Sequence, residues 1–489
     1  MIKEQNVLNG DGDMVKEKKT KEKLPKGVAA VAMVMVLGAL PPMLDSTIVN
    51  VALKGLAQTF GADLSVIQWA VTGYVLAMAI AVPFSGWLIQ KFDGKKIYMG
   101  ALALFLIGSL LSGLSWSVES LITFRFFQGF TAGMLMPLLS TIAVQLAGPG
   151  NLGKLMSLIG MPVVFAPIIG PVAGGLIMQY LPWQWLFFIN LPIGAIGLAC
   201  LQWKLPKFEA TNKSACLDLP GIMLLTVASG ALIFGMTEVI KANDRVIGIV
   251  SLVIGVIAFL AYVFYALKRK GKAIVSLDLF RSRNFSAAFI ALFLAGFATN
   301  GPMLLLPMLF QNVRGLTVIM AALWLIPQGL GMLIARPTIG KMVDKIGARY
   351  VVLPSIALTF FGTLPFVFFD ANTSQWLVWA VLLIRGAGVG GFTVPLMADC
   401  FVGLEKRQVP TASVATRIIQ NIGGAFGSAL LATVVSTMLA RQTGDLTGAY
   451  HAGFIMSLIF MAVGIAPALF LTNKFDKRHT TGHVKRLAT

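Results

Sequence analysis

Two charged residues, Asp45 and Arg125, lie inside stretches of sequence that are otherwise apolar. Asp45 lies well within an apolar run that begins at Gly27. A charged side chain at the centre of a membrane helix costs about 2.5–3.5 kcal/mol on insertion scales, so it normally faces a cavity or a partner. Asp45 is therefore expected to bind a proton or a substrate, and the alternative is a structural hydrogen bond to a neighbouring helix. For Arg125 the alternative role is a buried structural ion pair.

The composition predicts a polytopic membrane protein. The 489 residues are 57% hydrophobic and 12% charged, whereas soluble domains are about 25% charged. The net charge of +19 does not indicate nucleic-acid binding, because the basic residues lie in short loops between apolar segments. The three cysteines are Cys200, Cys216 and Cys400, whose spacing predicts neither a disulfide framework nor a metal site.

Fourteen apolar stretches are long enough to cross a bilayer. They span residues 27–50, 67–89, 97–116, 121–146, 154–178, 183–203, 219–240, 246–267, 286–310, 316–337, 350–369, 375–398, 411–439 and 451–472. Most Lys and Arg residues lie in the two tails and in alternate loops, whereas the opposite loops hold only Lys54, Lys241, Arg245, Arg314 and Arg441. This asymmetry predicts that both termini are cytoplasmic.

An internal repeat divides the chain into two halves. The loop Gly86–Lys96 is echoed by Gly340–Arg349, and Arg125 followed by Pro137 is echoed by Arg385 followed by Pro395. Such repeats are typical of secondary transporters. We therefore predict six-helix halves at 27–203 and 286–472, two inserted helices with cytoplasmic linkers at 204–285, a disordered cytoplasmic tail at 1–26 and a second cytoplasmic tail at 473–489.

These motifs resemble the major facilitator superfamily, and the fourteen spans resemble its drug:proton antiporter branch. The matching segments are LDSTIVNVAL at 44–53, LITFRFFQG at 121–129, GPVAGG at 170–175 and WQWLFFINLPIG at 183–194. The resemblance implies an all-α major facilitator fold of two six-helix halves plus two inserted helices. It implies a proton-coupled antiporter of the inner cell membrane that exports hydrophobic, cationic drugs by alternating access. The energy source would be the proton gradient, without a cofactor.

The resemblance also assigns roles to residues. Asp45 and Arg125 would couple transport to protons. The antiporter motif would comprise Gly170, Pro171, Gly174 and Gly175, for which simple close packing of helices is the alternative. The conformational-switch loops would contain Gly86, Asp93, Lys95, Gly340, Asp344 and Arg349. The sequence departs from the family pattern at Gln90, which occupies the usual acidic position of the first loop, and at Lys54 and Gln184.

A central substrate cavity is predicted between the halves. Its candidate lining is polar, acidic or aromatic and comprises Gln68, Trp69, Tyr74, Glu238, Asn300, Gln328 and Asp399. The expected partners are small hydrophobic or cationic substrates, protons and the lipid bilayer, with no nucleic acid, and the expected state is a monomer.

Two other functions remain open from the residues alone. The first is proton-coupled transport of one defined metabolite, such as an amino acid, a peptide or a lipid-like compound, because a few cavity residues set specificity. The second is a receptor or an enzyme on a transporter-like scaffold. The histidines are His451, His479 and His483, outside the predicted spans or at the edge of one, and no nucleophile–base set or phosphate-binding loop accompanies them.

Overall fold

The computed structural model describes residues 5–8, 14–17, 27–147, 151–208, 210, 217–239, 244–269, 273–405, 407–441 and 445–472. Within the N-terminal segment, strands β1 (Gln5–Leu8) and β2 (Met14–Glu17) pair antiparallel, with Gln5 opposite Glu17. The rest of the predicted disordered tail, and all of the tail at 473–489, lie outside the described residues. Those two predictions therefore remain predictions.

The described chain is otherwise helical, and thirteen of its helices are long and apolar enough to cross a membrane. With one further helix of 29 residues, Leu152–Tyr180, they correspond in order to the fourteen predicted spans. The helices are α1 (Val28–Phe60), α2 (Trp69–Lys91), α3 (Gly94–Gly113), α4 (Val118–Ala147), α5 (Leu152–Tyr180), α6 (Trp185–Lys204), α7 (Leu219–Glu238), α8 (Arg245–Arg269), α9 (Arg283–Asn312), α10 (Val318–Ile346), α11 (Arg349–Val367), α12 (Gln375–Cys400), α13 (Val409–Arg441) and α14 (Leu446–Ala468).

The helices of the two halves pack in the same pattern. Helix α1 packs on α5 and α2 packs on α4, while α9 packs on α13 and α10 packs on α12. The halves meet along two seams, one between α5 and α10 and the other between α2 and α13. The inserted helix α7 contacts both α2 and α13, and α8 packs mainly on α7.

Small residues set the spacing between α2 and α4, which positions the polar centre described below. A Cβ atom added at Gly129 would lie 2.8 Å from Cα of Tyr74, and one added at Gly133 would lie 2.7 Å from Cα of Met78. Only glycine allows the two backbones to approach this closely. As a result, the side chain of Arg125, one turn before Gly129, lies directly against α2.

We call the end of the bundle that carries the loops after α2 and α10 the basic end. Chain segments from several helices close it. Thr141 Oγ1 on α4 lies 2.9 Å from Ser413 Oγ on α13, and Ser157 Oγ on α5 donates to the carbonyl of Arg336 on α10 at 2.6 Å. These bonds join the two halves near this end.

Candidate functional site

The centre of the N-terminal half is a buried ion pair between Asp45 of α1 and Arg125 of α4, whose side chains are 0% and 1% exposed. Arg125 Nη1 donates to Asp45 Oδ2. The second carboxylate oxygen, Oδ1, accepts from Gln128 Nε2 at 3.2 Å and from Asn190 Nδ2 at 3.0 Å. Three neutral or cationic donors therefore surround this carboxylate, which compensates the loss of water around it.

Arg125 is held from several sides. Its Nε donates to the carbonyl of Ala70 at 3.0 Å, and its Nη1 also donates to Gln128 Oε1 at 2.8 Å. The guanidinium lies 4.0 Å from the ring centroid of Tyr74, a cation–π geometry. The hydroxyl of Tyr74 donates to the carbonyl of Pro42 at 3.1 Å. Tyr74, which is predicted to line the cavity, packs against the guanidinium of the ion pair.

Two further helices complete the network. Asn190 of α6 also donates to Ser109 Oγ on α3 at 3.0 Å, and Ser112 on the same helix donates to Gln128 Oε1 at 3.3 Å. The network thus joins α1, α2, α3, α4 and α6. If Asp45 took up a proton, Arg125 would keep only neutral partners among these groups, so the proton and the helix contacts are chemically linked.

Gln128 and Asn190 are site residues that the sequence analysis did not single out. Both lie in the quoted family motifs, Gln128 one turn after Arg125 and Asn190 near the start of span six. Each is a hydrogen-bonding amide within an apolar run. Gln128 could have been predicted from the sequence, because an amide three residues after Arg125 lies on the same face of the helix. The sequence around Asn190 does not indicate that it contacts Asp45.

The C-terminal half has a related centre around Arg385 of α12, which is 0% exposed. Its Nη1 donates to Gln328 Oε1 at 2.6 Å, its Nε to Thr363 Oγ1 at 3.2 Å and its Nη2 to the carbonyl of Ala298 at 3.3 Å. The position of Arg385 follows the repeat, but its partners here are all neutral. Gln328, predicted as cavity lining, is one of them.

The predicted antiporter motif places α5 against α1 beside the ion pair. A Cβ atom added at Gly174 would lie 3.2 Å from Ile48 Cγ1, and one added at Gly170 would lie 2.8 Å from Thr47 Cβ. On another face, a Cβ atom at Gly175 would lie 2.9 Å from Ile319 Cδ1 of α10. Pro171 lies between these glycines and is half-buried. Helix α5 thus contacts both α1, which carries Asp45, and the opposite half.

The segment at the end of α10, the second of the two predicted conformational-switch loops, joins the two halves. Asp344 accepts from the backbone N–H groups of Gly153 and Lys154 at 2.8 and 3.0 Å, at the start of α5. A Cβ atom at Gly340 would lie 2.7 Å from the Gly153 carbonyl oxygen. A carboxylate at a helix N-terminus is stabilised by the unpaired N–H groups and the helix dipole. Arg349 begins α11, and its N–H donates to the Thr472 carbonyl at 3.0 Å.

The first switch loop is built differently. Asp93 accepts from the N–H groups of Lys95 and Lys96 at 2.8 and 3.2 Å, so it caps its own helix α3. Lys95 Nζ donates to the Gln202 carbonyl at 2.6 Å. Gly86 provides the contact between halves, because a Cβ atom there would lie 2.7 Å from Val414 Cγ2. The described contacts of Asp93 are therefore local, unlike those of Asp344.

The other predicted cavity residues do not gather at either centre. Trp69 is 41% exposed and stacks on Phe234 of α7 at 5.8 Å, and Gln68 directly precedes it. Glu238 is buried at the end of α7. Asn300 of α9 is exposed, and its carbonyl accepts from Ser428 at 3.4 Å.

Asp399, also predicted to line the cavity, contacts the segment that follows α14. Its carboxylate is 1% exposed, one residue before the end of α12 at the basic end. It accepts from the N–H of Thr472 at 3.3 Å and from the hydroxyl of the same residue. This contact fastens the segment after α14 to α12. The carboxylate is thus occupied by hydrogen bonds from the chain itself.

Within the described residues, no group of three or more His, Cys, Asp or Glu side chains is arranged to hold a metal ion. The two buried centres are built from one carboxylate, two arginines, and neutral amides, hydroxyls and carbonyls joined by hydrogen bonds.

Comparisons with known proteins agree with this architecture. Residues 35–428 match the family model of the Major Facilitator Superfamily. The chain is 30% identical to the multidrug resistance protein B homolog of Mycobacterium tuberculosis, over 92% of this chain and 91% of that protein. It is 32% identical to the multidrug export protein EmrB of Escherichia coli, over 83% and 80% of the two chains.

The structure of the human organic anion transporter MFSD10 superimposes on this chain with a TM-score of 0.64. The superposition covers 91% of this chain and all of that one, at 16% sequence identity, and it shows a shared fold. The family match covers most of the sequence, and the helix count, the two repeated halves and the predominantly apolar spans agree with it. The chain therefore belongs to the major facilitator superfamily and is a multi-pass membrane transporter.

Proposed function

We propose that this protein is a proton-coupled antiporter that exports hydrophobic drugs across the cell membrane by alternating access. The observation that carries the proposal is the buried Asp45–Arg125 ion pair within membrane-spanning helices. Protonation of Asp45 would remove its negative charge and so break the ion pair. The names of the multidrug relatives support drugs as the substrate class. Both termini are proposed to be cytoplasmic, in accord with the distribution of Lys and Arg.

The proposed cycle links Asp45 to the seam between the halves. In the structure the basic end is closed and Asp45 is paired with Arg125. Protonation of Asp45 removes the negative charge that ties α1 to α4, so α1 is free to shift against α5 at Thr47 and Ile48. Helix α5 carries this shift to α10 through the contacts at Gly175 and Asp344.

Coupling requires that the two states of the protein bind the substrate with different affinities. The Asp45 carboxylate is fully buried and already paired with Arg125. A change in its charge can therefore alter the affinity for substrate only indirectly, by changing the contacts between helices. For the same reason, a cationic substrate does not follow from Asp45, since Arg125 neutralises it. The cationic charge that the resemblance implies is therefore an expectation that the Asp45–Arg125 pair does not support.

The test is transport in proteoliposomes that contain the full-length protein, with and without an imposed pH gradient. Accumulation of a fluorescent lipophilic compound should follow the gradient for the native protein and should lose this dependence for Asp45→Asn. Asp63→Asn, which changes an exposed carboxylate in the loop after α1, is the matched control and should behave as the native protein. Gradient-driven export that persists undiminished in Asp45→Asn would refute the assigned role.

Proton-coupled transport of one defined metabolite remains the second candidate. Competition assays distinguish the two functions, because a drug exporter is inhibited by many unrelated lipophilic compounds and a metabolite transporter by close analogues of one.

A further inference from the structure

Two arginines in the seams between the halves lack the partners that Arg125 has. Arg336 of α10 is 3% exposed, and its Nε and Nη1 atoms are buried without a hydrogen-bond partner. Its guanidinium lies against α5, where a Cβ atom added at Gly160 would lie 3.1 Å from Cζ. An unpaired buried guanidinium is destabilising, so a structural role alone does not explain it.

Arg417 of α13 lies beside the other seam, where α13 contacts α4 of the opposite half. Its Nε is buried without a partner, and its remaining contacts are long: 3.3 Å from Nη1 to Gln420 Oε1 and 3.4 Å from Nη2 to Ser140 Oγ on α4. Ser140 is adjacent to Thr141, whose hydroxyl bonds Ser413 across the same seam. We call Arg336 and Arg417 the seam arginines.

The seam arginines lie at similar depth. At a rise of about 1.5 Å per residue, each lies roughly 12–15 Å along its helix from the basic end. The acidic side chain nearest to Arg336 along α10 is Asp344, and its carboxylate is occupied by N–H groups of α5. Among the described residues, neither seam arginine forms an ion pair. The interior near the basic end thus has uncompensated positive charge.

Each seam arginine is also covered by the opposite half. Arg336 is covered by α5 at Gly160, and Arg417 by α4 at Ser140. When the halves separate at the basic end, as alternating access requires, these covers withdraw and both guanidinium groups become accessible from that side. The charge of Arg336 is then exposed in one state of the cycle and buried in the other, and Arg417, which is half-buried here, becomes more exposed when the basic end opens.

We infer that the seam arginines bind the acidic group of an amphipathic organic anion, a carboxylate above all, and that such anions are the substrates loaded from the basic end. The inference rests on the proposed export function and specifies its substrate class. Guanidinium groups pair with carboxylates through two parallel hydrogen bonds, and the unpartnered nitrogens supply the donors. Because the site forms only when the basic end opens, the anion binds one state more tightly, as coupled transport requires.

Equilibrium binding without any gradient tests the inference separately from proton coupling. The ligands are 11-(dansylamino)undecanoic acid, its uncharged methyl ester and the cation tetraphenylphosphonium, added to full-length protein in detergent. The acid should bind about tenfold or more tightly than the ester, in line with a charge-assisted hydrogen bond. Arg417→Gln should remove most of this preference and leave ester binding unchanged, and Arg336→Gln should reduce it as well.

Two variants control the experiment. Arg417→Lys retains the charge without the guanidinium geometry and should restore part of the preference. Arg281→Gln changes an arginine with an 86% exposed side chain in the linker before α9 and should have no effect. Equal affinity of the native protein for acid and ester, tighter binding of the cation, or full retention of the preference in Arg417→Gln and Arg336→Gln would overturn the inference.

The two proposals fail in different ways. If the acid binds with the expected preference but a pH gradient drives no transport, proton-coupled export is wrong and the anion site stands. If a gradient drives transport that depends on Asp45 but the acid has no preference over the ester, export stands and the anion site is wrong.

Discussion

Replacing Asp45 by asparagine should destabilise the N-terminal half strongly. The substitution conserves shape but removes the single negative charge that faces Arg125 in a fully buried pair. Breaking a buried ion pair by removing one partner costs about 3–5 kcal/mol, because the other charge stays buried and uncompensated. Arg125 retains the Ala70 carbonyl, Gln128 and the Tyr74 ring, so we expect about 3 kcal/mol. For a domain of about 150–250 residues, this lowers Tm by about 6–12 °C.

Thermal unfolding of the detergent-solubilised protein, followed by tryptophan fluorescence, measures the effect. The double variant Asp45→Asn/Arg125→Gln removes both charges and should recover most of the lost stability, since a neutral buried pair has no uncompensated charge. Arg125→Gln alone should be destabilising too, because it leaves Asp45 with only amide donors.

Two results would contradict this reasoning. One is Asp45→Asn unfolding at the native temperature, which would mean that Arg125 does not depend on the carboxylate. The other is a double variant whose loss equals the sum of the two single losses, which would show that the residues act independently despite their contact.

Three further predictions concern other contacts between helices. Asp344→Asn weakens the contact between the halves at the start of α5. It should therefore increase the labelling of a cysteine introduced at the basic end by a membrane-impermeant thiol reagent. Asp93→Asn, which changes a contact within one half, should not increase this labelling. Gly174→Leu places a side chain against the α1 backbone and should abolish transport, whereas Gly100→Leu, where a Cβ atom meets nothing within 4 Å, should be tolerated. Thr472→Val removes the hydroxyl that donates to the buried Asp399 carboxylate of α12. We expect it to lower the free energy of unfolding by about 1–3 kcal/mol and therefore to lower Tm.

The fold was predictable because it depends on properties that are local in sequence. Hydrophobic length identifies each span, and the repeated loops at Gly86 and Gly340 relate the two halves. The burial of Asp45 and Arg125 inside membrane spans was predictable for the same reason, since charge inside an apolar run is visible without a structure. Their mutual pairing was not, because Arg385 and Arg417 were equally available cations in the sequence.

The two switch loops show where a sequence repeat stops determining structure. Asp93 follows the end of α2 and has the extended backbone of an N-cap, so it bonds its own next helix. Asp344 lies within the last turn of α10, where its side chain projects from the helix and reaches α5. A shift of a few residues relative to the helix end therefore changes the partner of the carboxylate from its own helix to the opposite half.

Helix α7 makes the two faces of the transporter unequal toward the lipid. It lies over the seam between α2 and α13, and its Thr226 hydroxyl donates to the Ile80 carbonyl of α2 at 3.3 Å. The seam between α5 and α10 has no such inserted helix among its described contacts. The approximate twofold symmetry of the halves is thus broken in the plane of the membrane. A lipophilic molecule that diffuses within the bilayer meets a shielded flank on one side and a bare, glycine-lined junction on the other.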